Sequence, residues 1–251
     1  KNRATVLFPI CGRLNNGKYT YNEKEYEMVL HGFAKLFDFS VESVLPNKIV
    51  LELKSNDETK KCYPFDFVFK VTYSLNDSTI KQSYEVINEN EQELPFSVGA
   101  HPGFNLPFED GEFFEDYYLE FPKKRKVKRI ITDDKVLFIG KTEPFALEDD
   151  DKLRLRHDLF DNDAIFLCDM CDSVTLKTDK NNRSISVKYN DMTHVGFWHS
   201  RFKKAPFLCI EPWHGIPAYN DKIDDFSSKN EFIHLKKGEK YNTFIEITVS
   251  E

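Results

Sequence analysis

The stretch "PFDFVFKVTYSL", residues 64–75, carries the clearest signal of the fold class of this chain. Its large apolar side chains share one parity, and they are Phe65, Phe67, Phe69, Val71, Tyr73 and Leu75. Asp66 and Lys70 occupy the other parity. Because successive side chains of a strand point to opposite faces of a sheet, this alternation predicts a long strand with one buried face.

The same period of two recurs along the chain. Residues 79–88 follow the turn residues Asn76-Asp77-Ser78 and predict a hairpin. Further strands are predicted at 48–55, 117–121, 173–178, 184–189, 194–200, 207–213 and 243–250. We find no convincing capped helix of three turns, no linker and no internal repeat. The sequence therefore predicts one all-β domain over residues 1–251, a large β-sandwich of stacked antiparallel sheets.

Composition narrows the class of protein. With 40% hydrophobic and 31% charged residues, the 251-residue chain is typical of a globular protein. Its net charge of −7 argues against a nucleic-acid partner. No apolar run approaches the roughly 20 residues of a membrane helix, and the first residues have no long apolar core of a signal peptide. Five cysteines, an odd number, fit reduced thiols. We expect a cytoplasmic protein without a membrane partner.

Three local features could have either a structural or a functional role. The basic run 123–129 and the acidic run 148–152 are interpreted as solvated faces or loops. The sharper alternative for the basic run is a phosphate site. Cys168 and Cys171 form a single "CDMC" pair, which is a weak signal for a metal or redox site.

Four polar residues each stand at the border of an apolar stretch. Glu211 ends the run in "FLCIEPW", and His101 ends that in "PFSVGAHPG". Both precede proline, which forces extended geometry, so we expect both to project from strand ends. Arg13 follows "LFPICG", and His31 precedes glycine in "MVLHGFAK". A buried glutamate costs free energy unless its charge is needed, which makes Glu211 a candidate for chemistry.

Each candidate also has a structural explanation. A histidine at a strand end is often simply a satisfied polar residue. Arg13 and Glu211 could form a structural ion pair. Asp161 and Asp163, in "LFDNDAIF", could be turn residues that bond to their own backbone. Sequence spacing alone does not link these positions.

Several segments, in order, resemble the aldose 1-epimerase (galactose mutarotase-like) family, in its broad, less characterised branch. They are "LFPICGRLNNGKYTY" (7–21), "HGFAK" (31–35), "YPFDF" (63–67), "SVGAHPGFNLP" (97–107), "LFDNDAIF" (159–166) and "IEPWHGIP" (210–217). The resemblance implies a β-supersandwich. Family members carry further N-terminal strands before "FPICGR", so we expect an incomplete chain or a shortened start.

The resemblance also implies roles. Glu211 resembles the catalytic base and His101 the catalytic acid. His31 matches the histidine that polarises the sugar near its ring oxygen, and Arg13 matches an arginine that binds sugar hydroxyls.

The resemblance also extends to other positions. Asp163 is chosen as the aspartate on a sugar hydroxyl, with Asp161 as the alternate. Lys35, where the family commonly has arginine, is interpreted as structural. The aromatic residues that flank these motifs have two interpretations, sugar stacking and core packing; they are Phe33, Phe104, Trp198 and Trp213.

The implied reaction interconverts the α and β anomers of a free aldose, such as a hexose, by acid/base ring opening. It requires neither cofactor nor metal. Two alternatives stay open. One is a hexose-6-phosphate mutarotase, for which the run 123–129 is the obvious source of Arg or Lys. The other is a non-catalytic carbohydrate-binding protein.

Overall fold

The computed structural model describes residues 5–251, and for Thr5 it describes the backbone alone. Helical structure within this range is minor. It comprises one α-helix, α1 (Asp57–Cys62), and four short 3-10 turns at Asn15–Gly17, Ala34–Leu36, Phe114–Asp116 and His157–Phe160. The prediction of an all-β chain is confirmed.

The strands are numbered in chain order. Those of the first half are β1 (Thr5–Leu7), β2 (Lys18–Tyr21), β3 (Lys24–Glu27), β4 (Ser40–Leu45), β5 (Lys48–Lys54), β6 (Phe67–Asn76), β7 (Thr79–Asn88), β8 (Leu94–Phe96), β9 (Val98–His101), β10 (Gly103–Asn105) and β11 (Tyr117–Glu120). Those of the second half are β12 (Val127–Thr132), β13 (Phe138–Phe145), β14 (Lys152–Arg154), β15 (Ile165–Cys168), β16 (Ser173–Thr178), β17 (Ser184–Tyr189), β18 (His194–Trp198), β19 (Phe207–His214), β20 (Asp224–Asp225), β21 (Ile233–Leu235) and β22 (Lys240–Ser250).

Two large sheets dominate the architecture. An eight-stranded sheet has the order β1-β9-β19-β18-β15-β12-β13, and β10 also pairs with β19. A nine-stranded sheet has the order β14-β11-β16-β17-β22-β7-β6-β5-β4. Smaller sheets, β20-β2-β3 and β21-β8, lie beside them.

The main core lies between the two large sheets. The eight-stranded sheet contributes alternate residues, which are Val98, Ala100, Ile165, Leu167, Val195, Phe197, Leu208 and Ile210. The nine-stranded sheet contributes Phe67, Phe69, Val71, Tyr84, Val86, Val174, Leu176, Val187 and Ile245 to the same core. Phe8 bridges to this layer and stacks on Phe69 with ring centroids 4.4 Å apart. The period of two thus becomes the face-to-face packing of a sandwich.

The opposite face of the eight-stranded sheet carries a second, smaller apolar cluster. Its buried members are Leu7, Cys11, Ile130, Phe138, Ala164, Phe166, Trp213 and Ile216. Both faces of β15 and β19 are therefore covered. For this reason the sequences of these strands are almost continuously apolar and do not alternate between apolar and polar residues.

The predicted hairpin is confirmed, with one difference at its tip. β6 pairs with β7 from Phe67 opposite Asn88 to Asn76 opposite Thr79. Asp77 adopts a left-handed φ of 50°, as a two-residue turn requires. Leu75 was expected on the buried face, but it is 51% exposed because the hairpin extends beyond the core.

No helix among the described residues is long and apolar enough to cross a membrane.

Candidate active site

Glu211 lies inside strand β19 and not at its end, so that expectation was wrong. The strand continues through Pro212 to His214. Proline removes only one ladder hydrogen bond. Neighbouring strands on both sides maintain the strand. Val195 of β18 lies opposite Pro212, and Gly99 of β9 lies opposite Trp213. A glutamate in the centre of a sheet is only 2% exposed.

The register of the neighbouring strands places His101 against Glu211. Gly99 of β9 lies opposite Trp213, and Gly103 of β10 lies opposite Cys209. His101 falls midway between these two pairs, directly across from Glu211. The His101 Nε2 and Glu211 Oε1 atoms are 3.2 Å apart. Strand pairing thus joins two residues that are 110 positions apart in sequence.

This pair borders a cavity of about 370 Å³ on the outer face of the eight-stranded sheet. All five residues singled out from the sequence line it, namely Arg13, His31, His101, Asp163 and Glu211. Further lining residues include Lys35, Phe166, Trp198 and Trp213. The volume lies toward the lower end of the usual range for small-molecule sites, about 300–1,000 Å³.

Burial sets the charge of the central pair. It raises the pKa of Glu211 well above its ordinary range, and the nearby Asp163 charge adds to this effect. Burial lowers the pKa of His101 to about 4, although a hydrogen bond to its own backbone opposes the shift. Burial therefore disfavours the charged form of each group taken alone. A single proton shared by the pair across 3.2 Å gives either a neutral carboxyl beside a neutral imidazole or a carboxylate beside an imidazolium.

His31 is held in one tautomer by Gly12. The backbone N–H of Gly12 donates to the ring atom His31 Nδ1 at 3.0 Å, and the backbone N–H of His31 donates to the Gly12 carbonyl at 2.8 Å. Burial, followed by the charges of His101 and Lys35, lowers the pKa of His31 to about 3. The neutral ring must carry its proton on Nε2, because Nδ1 accepts. His31 is therefore a hydrogen-bond donor.

Asp163 has the turn geometry expected from the sequence and also faces the cavity. It has a left-handed φ of 73°, and its Oδ1 accepts from the Ala164 N–H at 2.9 Å, as in a turn. It also lines the cavity. Asp161, the alternate, is not among the lining residues; its carbonyl oxygen accepts a hydrogen bond from Arg201 Nε at 3.2 Å.

Two cationic side chains reach the cavity, Arg13 and Lys35. Within residues 5–251, neither forms an ion pair, so the suggested Arg13–Glu211 pair is absent. Lys35 Nζ donates to the Leu30 carbonyl at 2.5 Å, and burial lowers its pKa. Interpreting Lys35 as structural was incomplete, because it faces the same cavity as His101.

Two of the four aromatic residues reach the site. Trp198 and Trp213 line the cavity, and Trp213 also belongs to the second apolar cluster. Phe33 is buried in the main core, and Phe104 packs against it. Phe166 also lines the cavity but was not singled out from the sequence. The parity of β15 could have revealed it, since Phe166 lies opposite Gly196, the neighbour of Glu211 on β18.

The charge runs and the "CDMC" pair lie elsewhere. Lys123, Lys124 and Arg125 line a separate cavity that shares no residue with the one around Glu211. The two runs meet each other, with Lys126 Nζ 2.6 Å from Asp150 Oδ1. The thiols of the pair donate to two different carbonyls, those of Lys128 and Lys123.

One group in the described chain has the composition of a metal site. Ligand atoms of His101, Cys209 and Glu211 all lie within 4.8 Å of one another. Cys209 was not singled out from the sequence. The i, i+2 spacing to Glu211 on a predicted strand was its only signal.

Comparison with known proteins identifies the family of this chain. The family model of aldose 1-epimerase matches residues 1–248. The plasmid-encoded protein LacX of Lactococcus lactis subsp. lactis is 34% identical over 223 residues, which cover 85% of this chain and 74% of LacX.

Two solved structures share the fold closely. A galactose mutarotase related enzyme from Lactobacillus acidophilus has a TM-score of 0.93 and 37% identity, covering 99% of this chain and 83% of that one. A galactose mutarotase-like protein from Lactobacillus casei has a TM-score of 0.92 and 28% identity, covering 98% and 85%. With a family model matched over almost its whole length, the chain belongs to the aldose 1-epimerase family.

Proposed function

We propose that this protein interconverts the α and β anomers of a free aldose, with Glu211 as base and His101 as acid. The observation that carries the proposal is the 3.2 Å approach of His101 Nε2 to Glu211 Oε1 at the border of a sugar-sized cavity. Family membership supports a mutarotase-type activity on a sugar.

The chemistry explains why the two groups must be neighbours. An aldose ring is a cyclic hemiacetal, in which O1 and the ring oxygen O5 are both bonded to C1. Ring opening removes the proton of O1 and adds a proton to O5. Because both oxygens belong to one carbon, the base and the acid must lie side by side. Glu211 and His101 have this arrangement.

The full cycle conserves protons. The Glu211 carboxylate accepts the O1 proton while the His101 imidazolium protonates O5, and the C1–O5 bond breaks. The resulting aldehyde rotates about C1–C2. Closure then reverses both transfers and presents the other face of C1. Positioned acid/base groups typically contribute about 10²–10⁴-fold in rate.

The remaining lining residues have supporting roles in this proposal. His31 donates through Nε2–H to an oxygen near the anomeric centre. Arg13 and Asp163 bind sugar hydroxyls. Trp198 and Trp213 offer aromatic faces to the apolar side of the ring.

Substitution of Glu211 by Gln tests the proposal. Glutamine keeps the shape but cannot accept the O1 proton, so we expect the catalysed rate to fall by about 10²–10⁴-fold, or about 3–6 kcal/mol. Polarimetry from a pure α-anomer measures it. Exposed Glu27, changed to Gln, is the matched control. Near-normal mutarotation by Glu211→Gln, or no catalysis by the wild type, would reject the assignment. The latter result would favour a carbohydrate-binding protein.

One observation favours a second candidate, a hexose-6-phosphate mutarotase. Arg13 and Lys35 line the cavity, and neither has a carboxylate partner in the described structure. Two such cations suit an anionic sugar. If the substrate is phosphorylated, Lys35→Met should raise KM for a hexose 6-phosphate and leave that for the free hexose nearly constant. Equal effects on both sugars would show that Lys35 does not recognise a phosphate.

A further inference from the structure

The face of β19 that carries Glu211 also carries a buried thiol. Cys209 precedes Glu211 by two positions, so both side chains point to the same side of the sheet. Cys209 lies opposite Gly103, and it is 5% exposed. Gly103 has no side chain, and a Cβ there would meet Cys209 Sγ at 3.3 Å. The thiol thus occupies the space that Gly103 leaves on the His101 side of β19.

The three side chains nearly satisfy the geometry of a cation site. Ligand atoms of His101, Cys209 and Glu211 lie within 4.8 Å of one another, and the His101 Nε2–Glu211 Oε1 distance is 3.2 Å. Tetrahedral ligands at about 2.0–2.3 Å from Zn²⁺ are themselves separated by about 3–4 Å. Small side-chain rotations would close the set around one ion.

Charge balance favours a divalent cation in this position. Cys209 and Glu211 are both buried, so each is costly as an isolated anion. Two anionic ligands and a neutral imidazole would neutralise a 2+ ion and form an uncharged buried complex. Its formation releases the thiol and carboxyl protons to solvent.

We infer that His101, Cys209 and Glu211 bind a thiophilic divalent cation such as Zn²⁺ or Cd²⁺, and that the bound ion inhibits the enzyme. The thiolate and imidazole select a soft or borderline cation over Mg²⁺. The ion enters through the cavity that His101 and Glu211 line, and the open side of that cavity provides its fourth coordination position. It occupies the acid and the base together and blocks proton transfer. The inhibition rests on the proposed function, but the binding does not.

Binding is tested without any activity assay. Reduced, metal-free protein is titrated with CdCl₂, and the ultraviolet charge-transfer band of a Cd²⁺–thiolate bond is followed together with the heat of binding. We expect one equivalent to bind. Cys209→Ser should remove the band of this equivalent and weaken binding by more than about 100-fold, beyond the ~10–100-fold effect of outer-shell groups. Glu211→Gln should weaken it as well, and MgCl₂ should not compete.

A matched control separates this site from the "CDMC" pair. The double variant Cys168→Ser, Cys171→Ser should retain the band and the affinity. Loss of the band in that double variant, its persistence in Cys209→Ser, or its absence in the wild type would each overturn the inference.

Inhibition is measured by polarimetry with ZnCl₂, each variant relative to its own uninhibited rate. Wild-type activity should fall and recover with EDTA, and Cys209→Ser should need more than about 100-fold more Zn²⁺. Binding at Cys209 without inhibition would instead contradict the roles of His101 and Glu211, so the two failures are distinguishable.

Discussion

The imidazole rings of His31 and His101 lie 5.5 Å apart, centroid to centroid, at an interplanar angle of 87°. Two cationic rings this close would repel, and burial disfavours both charges. Gly12 removes His31 from proton exchange by occupying its Nδ1. The two histidines are therefore differentiated, with His31 a fixed donor and His101 the partner of Glu211.

His31→Asn should separate the donor from the loop contact. Asparagine tolerates the left-handed φ of 62°, and its carbonyl oxygen can accept from Gly12 as Nδ1 does. The Nε2–H donor is lost. We expect kcat/KM to fall about 10–100-fold, as for a hydrogen bond to developing charge, with little change in Tm. An unchanged kcat/KM would remove His31 from the catalytic site.

The buried carboxyl of Glu211 should make stability depend on pH. Its pKa is raised above the ordinary 4.5, so the folded chain holds a proton that the unfolded chain releases. This contribution is fully present below about pH 4.5 and is lost as pH rises toward the raised pKa. Glutamine does not titrate, so the Glu211→Gln variant does not lose this stability as pH rises. Its Tm relative to wild type should increase between about pH 5 and pH 8. A constant Tm difference between Glu211→Gln and wild type over this range would contradict the shift.

Gly32→Ala should destabilise the loop that holds His31. Gly32 has a φ of 71°, and a Cβ there would lie 2.1 Å from the Phe8 carbonyl oxygen. Gly238, with φ of 72° and open space around it, is the matched control for backbone strain alone. We expect Gly238→Ala to cost about 1–2 kcal/mol and Gly32→Ala clearly more, read as a larger fall in Tm. An equal fall in Tm for both variants would mean that the loop around Gly32 moves to accept the added Cβ without cost.

The basic run should not contribute to turnover. Lys123, Lys124 and Arg125 line a cavity separate from the one around Glu211. Their joint replacement by alanine should leave the rates on a free hexose and on a hexose 6-phosphate unchanged. A selective loss with the phosphorylated sugar would show that the run, and not Lys35, recognises phosphate.

Local chemistry made the strands predictable. The parity of residues 64–75 and the turn at Asp77 depend only on neighbours in sequence, and both predicted the β6–β7 hairpin. The ordered family-like segments likewise predicted the family. Local reasoning failed where a partner strand decides the outcome. Pro212 suggests a strand end after Glu211, yet pairing with β9 and β18 carries the strand past it.

The strands could be predicted from neighbouring residues, because side-chain alternation and turn chemistry are local properties, and the candidate residues could be predicted from the family-like segments. Which of these residues meet depends on the tertiary structure. Cross-strand register sets His101 against Glu211 and Cys209 beside them, and loop packing brings Lys35 to the cavity and leaves Asp161 outside it. Such contacts join residues up to two hundred positions apart, and they arise from sheet pairing and burial, which no local period encodes.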